Sequence, residues 1–134
     1  MLYRHVNIRR WDLQFFFSFD IHDKERILSA LILAGAPDSI ISQVSENISA
    51  GRLNEGFCFS NPRERTSVLG ISKATTGPEI LDTIAHEIVH AATAIAEEDG
   101  LSLKSEAFAY LAGDISHEVS DIVCELSCPK CGRK

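Results

Sequence analysis

The sequence predicts an α+β domain, and three observations predict it. An aromatic run near the N-terminus alternates with period two. Two stretches between residues 23 and 50, and two more after residue 78, carry apolar residues at helical spacing. Two short β-rich runs lie between them, so strands and helices come in blocks.

The elements follow in chain order. From Asp12 to Asp20, Leu13, Phe15, Phe17 and Phe19 fall on one face, the mark of a strand with one buried side. Tyr3 to Arg10 is placed to pair with it. Asp23 to Ala34 reads as a helix with Asp23 as N-cap, an apolar face of Ile27, Leu28, Leu31 and Ile32, and Gly35 as its stop. Pro37 opens a second helix that reaches about Ala50 and is closed by Gly51, with Ile40, Ile41, Val44 and Ile48 as its stripe. The runs Gly56 to Ser60 and Thr66 to Ile71 are separated by Asn61-Pro62 and a charged triplet, which predicts a hairpin. A long helix is predicted from Pro78 to Glu98, with Gly100 after it. Another, capped by Ser102 or Ser105, runs to about Val123.

The chain has 134 residues, the size of one domain and enough to bury a core without disulfides. Residues 1–123 read as that domain and 124–134 as a cysteine-containing C-terminal tail. The net charge of -6, with no clustered Lys and Arg, argues against a nucleic-acid partner. No apolar run approaches the roughly 20 residues of a membrane span. The start has no long apolar segment of the signal-peptide kind, so the expected location is cytoplasmic, with thiols reduced. Oligomeric state is not legible here.

The chemistry concentrates in His86-Glu87-Ile88-Val89-His90. Zinc hydrolysis needs nitrogen or oxygen ligands, an open coordination position and a base for the water. Two histidines four residues apart lie about 40° apart on a helix, one turn up. Glu87 sits about 100° round, placed to reach a water without binding the metal itself. On the same helix Ile80, Leu81, Ile84, Ile88, Val89, Ala92 and Ile95 share one arc, and His86, His90, Thr83 and Glu97 lie roughly opposite. Glu106, near the start of the next helix, is the expected third ligand, since a short loop returns that helix antiparallel. Glu106, Ala109, Tyr110 and Gly113 share a stripe whose small residues allow close helix approach. His117 falls near that stripe but about 16 Å further along the axis, which reads as a surface histidine.

His86-Glu87-x-x-His90 followed by Glu106 on a second helix resembles the gluzincin type of metallopeptidase. Glu106-Ala107-Phe108-Ala109-Tyr110-Leu111-Ala112-Gly113 is similar to the second motif of small phage- and prophage-encoded HExxH proteins, the minimal gluzincins. The likeness spans about Leu81 to Ile115, a quarter of the chain. It implies a small zincin-like domain, with a short antiparallel sheet packed on an active-site helix and a following Glu-bearing helix. It also implies zinc held by His86, His90 and Glu106, Glu87 as general base and acid, and a peptide or protein substrate. Larger gluzincins carry an aspartate where Tyr110 stands. Its phenol is either a hydrogen-bonding group for a ligand or oxyanion, or a core aromatic at the helix seam. Asp114 is an alternative orienting group. The rival expectation is a zinc-containing binding or regulatory module with little or no turnover.

In the tail, Cys124-x-x-x-Cys128-x-x-Cys131 has the spacing of an iron–sulfur motif of radical SAM enzymes, but no barrel accompanies it. Cys128-Pro-Lys-Cys131-Gly looks like half a zinc ribbon. Three cysteines need a fourth ligand, from Cys58, a histidine or a second subunit. Otherwise they are free thiols.

Overall fold

A computed structural model describes residues 1–52 and 56–127; the Cys128 and Cys131 readings therefore lie outside the described residues. The mixed α+β class is as the sequence predicts. Strands β1 (Leu2–Ile8) and β2 (Trp11–Phe19) come first, then a single 3-10 turn (Ile21–Asp23) and helices α1 (Lys24–Leu33) and α2 (Asp38–Ser49). Strands β3 (Phe57–Asn61) and β4 (Thr66–Ser72) follow, then α3 (Pro78–Asp99) and α4 (Glu106–Ser127).

The described strands form one sheet in the order β1-β2-β4-β3. It is not the antiparallel sheet expected. β1 pairs with β2 and β3 with β4 antiparallel, but the central pair, β2 and β4, is parallel. The cause is connectivity. The α1–α2 excursion returns the chain to the far side, so β4 re-enters in the direction of β2 and β3 becomes an edge.

Helices cover both faces. Leu13, Phe15, Phe17, Leu69 and Ile71 pack against α3 and α4. Phe16, Phe19 and Val68 pack against α1 and α2. β2 is thus buried on both sides, and Phe19 lies opposite the face expected for it. The register shifts between Phe17 and Phe19, and Ser18 at φ 61 absorbs the extra residue, which turns Phe19 over.

The β1–β2 hairpin closes in two residues, Arg9 and Arg10, both at positive φ (51 and 62), as a turn of that length demands. Two non-glycine residues in this region are costly. Arg65 holds them, donating from Nη2 to the Arg9 carbonyl (2.6 Å) and from Nε to the Arg10 carbonyl (3.1 Å). Asp99, at the end of α3, pairs with both Arg9 and Arg65. Trp11 beside this turn is buried, and its indole N–H donates to Ser67 Oγ.

Asp23 holds the N-cap position of α1 as expected, but its side chain turns back to the Asp20 N–H, in a reciprocal capping pair with Asp20 at the start of the 3-10 turn. Ile32 is exposed, and Ala30 and Ala34 take its place in the core. Ser105 wins over Ser102 as the cap of α4, its hydroxyl accepting from the Phe108 N–H. α4 continues past Val123 to Ser127, so Cys124 is an exposed helical residue. Among the described residues no helix is long and apolar enough to cross a membrane.

Candidate metal centre

Pro78 at the first turn of α3 and the left-handed Gly100 after it frame 22 helical residues. His86, Glu87 and His90 stand near the middle. The buried stripe is Ile80, Thr83, Ile84, Glu87, Ile88, Ala91, Ala92, Ile95 and Ala96. It is rotated from the expected arc: Leu81 and Val89 are 55% and 49% exposed, while Thr83 is buried. The helix packs on the sheet through its small alanines, and this turns Glu87 inward.

The two histidines stay exposed, with Nε2 atoms 3.1 Å apart. Two nitrogens bound tetrahedrally at the usual zinc distances would be about 3.3 Å apart. The pair as it stands is thus close to the spacing one ion requires. A tautomer with one Nε2–H donating to the other ring satisfies the same contact. The Glu87 side chain is nearly buried, and its Oε1 lies 3.8 Å from His86 Nε2. Among the described residues these three form the cluster able to hold a metal, with ligand atoms within 4.8 Å of one another.

Glu106 and Tyr110 are not in that cluster. Glu106 is exposed as the first residue of α4, and Tyr110 is 69% exposed. Ala109 and Gly113, expected to line a close helix seam, are exposed too, and open space surrounds the position of a Gly113 Cβ. The face of α4 that meets the core carries Leu111, Ile115, Val119, Ile122 and Val123. The larger apolar side chains have decided the seam.

Cluster and groove meet on the other flank of α3. A groove of about 470 Å³ is lined by Ile40, Gln43, Val44 and Asn47 of α2, by Gly56 to Ser60, and by Glu87, His90 and Ala94. Its floor is β3, an edge of the sheet. α2 and α3 lie on opposite faces and both overhang that edge. Gly56 (φ +84) allows the close fit at one end: a Cβ there would stand 2.5 Å from the Gly70 carbonyl and 3.2 Å from Thr83. At the other end the Asn61 amide donates to the Ala34 carbonyl and ties β3 to the α1–α2 turn.

Cys58 faces the α3 side of the groove. Burial pushes its thiol up to about 12, with the nearby Glu87 charge adding to the effect and a hydrogen bond from Ser60 opposing it. A thiol so placed stays protonated at neutral pH. Ser60 in turn bonds Ser67, the partner of Trp11. In sequence the Phe57 to Ile71 hairpin reads as a peptide-binding edge and Cys58 only as a fourth ligand for the tail cysteines; Gln43 and Asn47 carry no signal there. Only the period-two alternation of β3 separates Cys58 and Ser60 from Phe57 and Phe59.

Comparison with protein-family models, with curated proteins and with solved structures finds no match to this chain.

Proposed function

We propose that the chain is a zinc-dependent hydrolase of peptide bonds. The carrying observation is the His86–His90 pair, spaced for one ion, beside the sheltered carboxylate of Glu87 at the mouth of an edge-strand groove. His86 and His90 would hold the metal through Nε2. A bound zinc ion supplies Lewis acidity and lowers the pKa of its water towards about 7. Glu87 takes the proton of the attacking water and returns it to the leaving amine. As the edge strand among the described residues, β3 would hold an extended peptide across the cluster by strand addition.

The decisive preparation is zinc-loaded protein digested against a peptide library, with and without chelator. Cleavage is expected, and chelator should abolish it. Glu87→Gln should keep stoichiometric zinc and lose about 10²- to 10⁴-fold in turnover. Hydrolysis that survives this change sinks the mechanism, and absence of stoichiometric zinc after loading sinks the reading altogether.

One observation favours a second reading. Among the described residues Glu106 and Tyr110 stand outside the cluster, and a zinc-containing peptide-binding module without turnover would use the same groove. Chelator-sensitive cleavage in the digest excludes it.

A further inference from the structure

The groove is two-sided, and its two walls differ in chemistry. Along β3, successive side chains point to opposite faces. Cys58 packs towards α3, as does Ser60 through its bond to Ser67. Phe57 and Phe59 pack towards α2. On that wall they meet Ile40 and Val44. Apart from the proposed zinc-site residues Glu87 and His90, no Asp, Glu, Lys, Arg or His among the described residues lines the groove. Gln43 and Asn47, one helical turn apart on α2, supply amides at the rim.

We propose that this groove selects extended segments with apolar side chains at alternate positions, those directed at α2. This deepens the peptide-hydrolase reading and rests on its choice of an extended peptide at β3. A strand added to β3 continues the pleat of the sheet, so its side chains alternate between the walls with β3's own. Those facing α3 meet the zinc-site residues, Cys58 and Ala94, where space and polarity suit small residues. Those facing α2 meet phenylalanine, isoleucine and valine, where an unpaired charge is penalised by desolvation.

The test uses the Glu87→Gln variant, zinc-loaded, with three probes: Ac-Gly-X-Gly-X-Gly-NH2 with X as Leu, Asn or Asp. Binding is read by calorimetry. The Leu peptide should bind at least tenfold tighter than the Asp peptide. Ile40 is half-buried, and Ile40→Lys should reverse that order by favouring Asp, an outcome that misfolding does not produce. Equal binding of the three peptides, no binding of any, or an unchanged order in Ile40→Lys overturns the proposal. A separate digest of the Leu peptide by the unsubstituted zinc-loaded protein tells the two ideas apart. Selective binding without cleavage removes the hydrolase reading and leaves the selectivity, whereas cleavage alongside unselective binding does the reverse.

Discussion

Gly70→Ala tests how the groove is built. A Cβ at Gly70 would stand 2.3 Å from Phe57 Cε1, 2.8 Å from its Cζ and 3.0 Å from Phe19 Cε2. Phe19 is buried and has nowhere to go, so the Phe57 ring must swing outward. That breaks the edge-on Phe19–Phe57 pair (centroids 6.0 Å apart, 63° between planes), worth about 0.5–1.5 kcal/mol. Exposing part of the ring adds about 1 kcal/mol. The backbone at Gly70 is not in the left-handed region, so alanine regains about 0.5–1 kcal/mol of chain entropy. The steric loss wins, for a net destabilisation of about 0.5–2 kcal/mol. Urea unfolding followed through Trp11, the sole tryptophan, should show a lower midpoint at unchanged slope. The displaced ring also enters the groove, so the Leu peptide should bind more weakly. A variant as stable as the parent would refute the claim that Gly70 makes room for the Phe57 ring.

Three further outcomes are expected. In native protein at pH 8, iodoacetamide should label the exposed Cys124 and leave Cys58 untouched until unfolding, because burial holds the Cys58 thiol protonated; peptide-mapping mass spectrometry reads this, and fast native labelling of Cys58 contradicts it. The Arg9 hydrogen bond, with Arg65, holds Asp99 below the usual carboxylate range, so its stabilisation is present above about pH 4 and fades as pH falls through the lower folded value. Asp99→Asn should therefore remove about 1 kcal/mol at pH 7 and much less at pH 3, seen as a melting-temperature loss of a few degrees that shrinks with acid; the half-exposed arginines keep the figure this small. Tyr110→Phe should leave zinc content and peptide turnover within twofold, and a tenfold loss would bring the phenol back into the site.

Much of the fold was legible because it is local. Alternation marked β2, helical spacing marked the four helices, with glycine stops for the first three, and the Asn61-Pro62 break marked the β3–β4 hairpin. What failed was non-local. The parallel pairing of β2 with β4 depends on where the α1–α2 excursion lands, which no window of sequence records. Phe19 changed sides because Ser18 takes a left-handed conformation that its residue type does not advertise. The site divides the same way. His86 and His90 meet because four residues on one helix are neighbours whatever surrounds them. The groove needs three elements brought from residues 40–47, 56–60 and 87–94, and only tertiary packing joins them.

The placement of Glu106 shows how lengths decide chemistry. α3 runs nine residues beyond His90, which is about 13 Å of helix. Only residues 100–105 join it to α4, and the return is antiparallel: Leu81, Ile84, Ala85 and Ile88 share a cavity with Ser116, Val119, Ser120 and Val123. The short connection therefore sets Glu106 beside the last turns of α3 rather than beside its middle. Azimuth matters as much as height. Glu87 and His90 line the groove with β3 and α2, whereas the residues of α3 that share the α4 cavity are on another flank. A longer connection would slide α4 along α3 without turning its ligands into the groove. Side chains that approach a metal on His86 and His90 from the protein therefore come from the β3 and α2 side, so the groove that would select a substrate would also set the surroundings of the ion.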